Sequence, residues 1–276
     1  MKVSSMELQD NGNLVLLRND SKVIWQSFDY PTDTLLPMQN FTKGMKLISE
    51  PDPDNLTYVL EIESQTGNVI LSTGLQPPQP YWSMQKDNRN IVNENGDEVA
   101  SATLDENSWK FYDKEKSLLW QFIVSDSDAA SANSIWIAVL GNDGFITFYN
   151  LQNRDSIASS KTTIPKDSCS TPQPCGPYNI CSGDKKCSCP SVLSSRRSCE
   201  PGFVSPCESK SSIELMKVDD GLNYFALGFL QPSSKTDLIG CKNSCSVNCS
   251  CLAMFFQKSS GVERWKHRHR RERKQE

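Results

Sequence analysis

Apolar and polar residues alternate in short runs along most of this chain, and small polar turns separate the runs. Leu14-Val15-Leu16-Leu17 follows Asn11-Gly12, so Leu14 and Leu16 face one side of a strand and Val15 and Leu17 the other. The turn-then-strand pattern recurs at Thr66-Gly67-Asn68-Val69-Ile70-Leu71. It recurs again at Asn95-Gly96-Asp97-Glu98-Val99 and at Asp143-Gly144-Phe145-Ile146-Thr147-Phe148-Tyr149. Glycine after Asn, Asp or Thr accepts a positive φ, and strand-forming residues follow it. Tyr58-Val59-Leu60-Glu61-Ile62 and Trp109-Lys110-Phe111-Tyr112 alternate, and residues 118–124 and 135–139 are further apolar strands. No stretch before residue 230 keeps a helical period. Short strands at regular turn spacing predict an all-β sandwich, barrel or prism. Residues 76–80 and 125–133 read as loops, and the Ser/Thr-rich residues 152–168 read as a linker.

The pattern changes after residue 233. Ser233, Ser234 or Thr236 can cap a helix from about residue 237. Leu238, Cys241 and Cys245 share one face of that helix. Leu252-Ala253-Met254-Phe255-Phe256 then reads as a buried strand.

Composition narrows the function. The apolar set makes up 37% of 276 residues, which suits several small domains better than one large core. The net charge is −4. Residues 263–276 hold seven Lys/Arg and three Glu, so the rest of the chain is more acidic still, and nucleic acid is excluded as its partner. The two histidines, His267 and His269, both lie in the basic end. Residues 1–262 therefore lack the base for Ser-His-Asp or Cys-His catalysis and the usual zinc-enzyme ligands. No catalytic residue, metal or cofactor is expected. No apolar run approaches the ~20 residues of a membrane span. The start, Met1-Lys2-Val3-Ser4-Ser5, has no signal-peptide core.

Eleven cysteines lie between Cys169 and Cys251, and none precedes them. Three chemistries compete. Zinc needs four ligands in a tetrahedral grip, and Cys241, Cys245, Cys249 and Cys251 offer one without any Cys-x-x-Cys knuckle. Redox catalysis also lacks its Cys-x-x-Cys. Structural disulfides fit the density best, and the odd count leaves at least one thiol without an intrachain partner. Asn19, Asn40, Asn55 and Asn248 head Asn-x-Ser/Thr sites. Together with the cysteines they predict an oxidising, secretory context. Cys169, Cys175, Cys181, Cys187, Cys189 and Cys199 follow the six-cysteine order of an epidermal-growth-factor-like (EGF-like) module, and their spacing does not choose the connectivity.

Trp25-Gln26-Ser27-Phe28-Asp29-Tyr30-Pro31-Thr32-Asp33-Thr34-Leu35-Leu36-Pro37 resembles the signature that closes the bulb-type lectin domain of plant G-type lectin S-receptor-like serine/threonine kinases. Pro80-Tyr81-Trp82 resembles the S-locus-glycoprotein region of the same ectodomains. Cys241, Cys245, Cys249 and Cys251 resemble their PAN/apple module. The resemblance covers about residues 7–261. It implies a mainly β fold, with lectin-like β-prism domains followed by small disulfide-rich EGF-like and PAN/apple modules. The implied divisions are 1–45, the C-terminal remnant of a bulb-type lectin domain; 56–165, a second lectin-like β domain; 169–207, EGF-like; 208–261, a truncated PAN/apple-like module; and 262–276, a basic disordered tail.

The implied function is a non-catalytic extracellular recognition region. Its kinase domain is absent, and its ligand is an unidentified carbohydrate, peptide or protein. Related ectodomains are its expected partners in homo- or heterodimers. Carbohydrate binding and recognition of pollen belong to the family as a whole. A non-functional remnant of a receptor kinase and a secreted decoy receptor are the alternatives. The expected place is extracellular or the cell surface.

The family's mannose motif maps in degenerate form onto Gln9, Asn11 and Asn13, with Leu17 where a tyrosine is expected. Leu17 neither donates nor accepts a hydrogen bond. A second, partial register holds Asp143 and Tyr149. The resemblance also implies the disulfides Cys169–Cys181, Cys175–Cys187, Cys189–Cys199, Cys207–Cys249 and Cys245–Cys251. That pairing leaves Cys241 as the odd thiol, expected unpaired, with its family partner lying beyond Gly261.

Overall fold

The computed structural model describes residues 3–87, 92–93, 96–124, 135–151, 158–176, 178–183, 186–194, 199, 215–218, 220, 222, 224–229, 234–249, 251–257 and 262–267. The chain divides into two compact units, Met1–Pro174 and Cys175–Glu276.

Among its described residues the first unit is β, apart from one 3-10 turn at Ser27–Asp29. A three-stranded antiparallel sheet comes first: β1 (Ser5–Leu8), β2 (Leu14–Leu17) and β3 (Val23–Gln26). Three two- or three-residue strands follow: β4 (Thr34–Leu35), β5 (Asn40–Thr42) and β6 (Lys46–Ile48). Three meanders complete the unit. They are β7 (Tyr58–Ile62), β8 (Val69–Thr73) and β9 (Gln79–Ser83); β10 (Ser101–Asp105), β11 (Ser108–Tyr112) and β12 (Leu118–Ile123); and β13 (Trp136–Leu140), β14 (Ile146–Asn150) and β15 (Ala158–Ile164).

One rule builds all three larger sheets. Each meander takes a fourth strand from residues 34–48, beside its own first strand. β6 pairs with β7, β5 with β10 and β4 with β13, all antiparallel. Each donated strand also buries one apolar side chain, Leu47, Phe41 and Leu35 respectively. Exposure alternates residue by residue along β7, β10 and β13, as a sheet with one face on a core requires. The three inner faces share that core. Trp82 of β9 meets Trp120 of β12 at 6.5 Å, and Phe122 of β12 stacks on Phe148 of β14 at 5.7 Å between ring centroids. The architecture is a β-prism.

The β13–β14 turn shows how tightly the sheets close. The Tyr81 hydroxyl of β9 donates to the Gly144 carbonyl at 2.7 Å. Gly144 has φ +79°, and a Cβ there would lie 3.0 Å from Tyr58 Cε1. Only glycine suits both demands.

The β1–β2–β3 sheet has three strands rather than four. All of β1 is exposed, and Met6 and Leu8 are among the most exposed large apolar residues.

Four sequence expectations change. β9 begins inside the expected loop at 76–80; Pro80 is accommodated because β9 is an edge strand and needs no donor there. Residues 158–164 of the expected linker form β15, the edge strand beside β14, whose β-branched Thr162, Thr163 and Ile164 suit a strand. Asn95 and residues 125–133 lie outside the described residues. Residues 262–267 of the expected disordered tail form a strand. Finally, the cap of the predicted helix is Asp237, not Ser233, Ser234 or Thr236.

Among the described residues, the strands and the α-helix of the second unit fall into two groups. β16 (Ile180–Ser182) and β17 (Lys186–Ser188) form a hairpin with Cys181 opposite Cys187. β18 (Ser234–Lys235), α1 (Leu238–Val247), β19 (Cys251–Gln257) and β20 (Val262–His267) form the other, in sheet order β18-β20-β19. Asp237 Oδ1 accepts from the Gly240 N–H at 2.7 Å and so caps α1 at its third amide. Cys241 and Cys245 are buried on that helix, whereas Leu238, in its first turn, is 40% exposed. β20 pairs with β19 from Val262 opposite Gln257 to His267 opposite Cys251.

Candidate functional site

The β1–β2 hairpin carries the first set of candidate sugar ligands. Its turn is locked from within. The Asn11 Oδ1 accepts from the Asn13 N–H at 3.0 Å, and the Gln9 N–H donates to the Asn13 carbonyl at 2.9 Å. Asn13 is 5% exposed. Its Oδ1 accepts from the Phe28 N–H and the Ser27 hydroxyl, both at 3.2 Å, and its Nδ2 donates to Gln26 Oε1 at 2.9 Å. A buried amide bonded at both ends has little left for a ligand. Asn13 is a tie between the hairpin and the Trp-Gln-Ser-Phe-Asp segment.

The second set lies on another sheet. Asp143 Oδ1 accepts from the Phe145 N–H at 3.2 Å within the β13–β14 turn, and Tyr149 on β14 pairs with Ile137 and Ser159. The five positions are therefore split three and two between two sheets.

The thirteen-residue signature is architectural along its length. The Ser27 hydroxyl accepts from the Leu14 N–H at 2.9 Å. Phe28 is buried, and its carbonyl accepts from Gln39 Nε2 at 3.0 Å. Asp33 Oδ1 accepts from the Thr34 hydroxyl at 2.9 Å, and the Asp33 carbonyl accepts from the Leu140 N–H at 2.8 Å. These bonds carry the chain out of the first sheet and set β4 against β13.

One concavity opens beside that segment. It is an open cleft of about 350 Å³ between the β3 end and β5. Gln26, Asp29, Asn40 and Thr42 supply its polar lining, and Phe28, Met38 and Met45 its apolar lining. Gln26 Nε2 donates to Asp29 Oδ1 at 2.8 Å. Asn13, Gln26 and Asp29 thus form a chain of side-chain bonds that fixes the carboxylate at the cleft. The sequence shows the signature and the Asn40 sequon separately; nothing in it says that the two meet.

Charge is otherwise dispersed. In the β2–β3 turn the exposed Arg18 guanidinium binds Asp20 and holds its carboxyl below the ordinary value. Among the described residues no group of His, Cys, Asp and Glu could hold a metal ion, and no helix is long and apolar enough to cross a membrane.

Disulfides join Cys175 to Cys187, Cys189 to Cys199 and Cys245 to Cys251. Cys169, Cys181 and Cys249 are disulfide-bonded too, and Cys207 lies outside the described residues. Cys241 Sγ is buried 3.3 Å from Met254 Sδ of β19. Of the sequon asparagines, Asn19, Asn40 and Asn55 are exposed, and Asn248 is half-buried as the C-cap of α1.

Known proteins resemble this chain along most of its length. The family model described as D-mannose binding lectin matches residues 1–50. A G-type lectin S-receptor-like serine/threonine-protein kinase of Arabidopsis thaliana is 50% identical over 265 residues, covering 94% of this chain and 32% of that protein. A PAN domain-containing protein of Arabidopsis thaliana is 26% identical over 263 residues, covering 91% of this chain and 53% of that protein. Among solved structures, a Marasmius oreades lectin matches at TM-score 0.32 with 17% identity, over 47% of this chain and 93% of that one. A monomeric mannose-binding lectin from Gastrodia elata matches at TM-score 0.32 with 15% identity, over 47% and 97%. The chain spans about a third to a half of the length of the curated relatives it matches. By sequence, the chain is similar over almost its whole length to one part of the G-type lectin S-receptor-like serine/threonine-protein kinases.

Proposed function

We propose that this chain is the non-kinase, extracellular recognition region of a plant receptor-like kinase, and that it acts by binding rather than by catalysis. The observation that carries the reading is the 50% identity over 94% of the chain to a receptor-like kinase of which the match occupies only 32%. The disulfides support it, because such bonds persist in oxidising compartments. The ligand is a carbohydrate or the ectodomain of a partner, met by surface complementarity. The lectin-like β-prism supplies that surface, and the EGF-like and PAN/apple parts act as spacer and dimerisation elements. Gln9, Asn11 and Asn13 belong to this proposal only as a degenerate sugar set. Their internal bonding favours recognition through other surfaces.

The test is a binding screen. The chain is secreted behind an added signal peptide and applied to a glycan array and to a panel of plant receptor ectodomains. Saturable binding to a glycan or an ectodomain is the expected result. Binding to neither, or phosphotransfer by the chain itself, contradicts the reading.

A further inference from the structure

The cleft at the end of β3 contains an Asn-x-Ser/Thr sequon of the chain itself. Asn40 and Thr42 are the first and third residues of an Asn-x-Ser/Thr sequon, and both line the cleft. Strand alternation sets this up: Phe41, between them, points into the prism core and is fully buried, while Asn40 is exposed. Asp29 lines the same cleft, held by Gln26, which is itself held by Asn13. Met45 and Phe28 add apolar surface. A fixed carboxylate beside apolar surface suits a sugar ring, which offers hydroxyl donors at its edge and C–H groups on its face.

We propose that Asn40 carries an N-linked glycan whose innermost N-acetylglucosamine fills this cleft and pins β5 to the turn after β3. In the transfer, the bond from Asn40 Nδ2 to C1 of the sugar forms. The bond from C1 to the pyrophosphate of a lipid-linked oligosaccharide donor breaks. The pyrophosphate leaves with the electron pair, and Nδ2 gives up one proton. Asp29 accepts a hydrogen bond from a sugar hydroxyl. Tethering holds the sugar at an effective concentration of about 10 mM, roughly ten times what a cleft that free sugar fills near ~1 mM requires, so the attached sugar occupies it. The inference requires secretion but no particular ligand for the receptor. It can fail while the recognition reading stands.

The test uses the whole chain, secreted from cells that make only high-mannose glycans, with occupancy of Asn40 read by glycopeptide mass. Endoglycosidase H trims the glycan to one N-acetylglucosamine. The variant Asn40→Gln has none, and Thr42→Ala removes the sequon independently. Hydrogen exchange is followed in peptides covering Gln26, Asp29 and residues 38–45. Intact and trimmed proteins should exchange alike. Asn40→Gln and Thr42→Ala should exchange about tenfold faster there, the loss of roughly one hydrogen bond's worth of protection. Asp29→Asn in the trimmed protein should move toward that faster rate with its glycan still attached. Free N-acetylglucosamine should restore protection to Asn40→Gln only at ~mM concentration or above. An unoccupied Asn40 in the secreted chain overturns the proposal, as do equal rates in trimmed and Asn40→Gln proteins. Saturation by free sugar at ~μM concentration assigns the cleft to an external saccharide and overturns it too.

Discussion

Asn13 joins two stretches of chain through three side-chain bonds, to Gln26, Ser27 and Phe28. Replacing it with alanine leaves the Phe28 N–H without that acceptor in a buried place. Such a loss costs about 1–3 kcal/mol, and chemical denaturation of the secreted chain should show a drop of that size for Asn13→Ala. A variant as stable as the parent would mean that Asn13 is spare and available to a ligand. Two tyrosines in the prism give a pH signature. Burial raises the Tyr58 and Tyr81 phenols well above the ordinary 10.0, with nearby Asp143 adding to the shift. The folded state therefore keeps their protons where an unfolded chain releases them. Stability is intact below pH 10 and falls as the pH rises past it. Circular dichroism and tyrosinate absorbance should change together on that alkaline limb. Tyrosinate appearing for these residues before the fold is lost would contradict their burial.

At the scale of the element, the β13–β14 turn is the most constrained feature. Gly144→Ala adds a Cβ that meets the Tyr58 ring at 3.0 Å with φ at +79°. It should destabilise the prism by about 1–3 kcal/mol, measurable as a shift in denaturant midpoint with an unchanged slope. This turn was legible in the sequence, because Asp143-Gly144 precedes an alternating run. So were β7, β11, β13 and α1, whose side-chain periods are long enough to read. β4, β5 and β6 were not, since two or three residues carry no period; they exist because each completes a sheet built far along the chain. β15 was hidden by serines and threonines, and β20 by charges, although backbone pairing to a neighbour needs neither apolar nor uncharged side chains. The cleft was illegible for a related reason. Asp29 and Asn40 line one cleft only because β5 joins β10 while β3 stays in its own sheet. Asn13 stood out only as a member of the degenerate mannose motif, and its burial depends on Phe28 and Ser27 folding over it.

At the scale of the whole molecule, the two units rest on different physics. Met1–Pro174 has a packed aromatic core built by three sheets. Cys175–Glu276 contains short elements joined by disulfides, and bonds closing loops of this length stabilise by about 2–3 kcal/mol each. A chain of this kind suits the cell exterior and not the reducing cytosol. The measurement that tests this most directly is non-reducing peptide mapping of the chain secreted behind an added signal peptide. The account predicts linked peptides for Cys175–Cys187, Cys189–Cys199 and Cys245–Cys251 within one chain. If these six cysteines instead alkylate as thiols, or copurify with zinc, the extracellular receptor reading is contradicted.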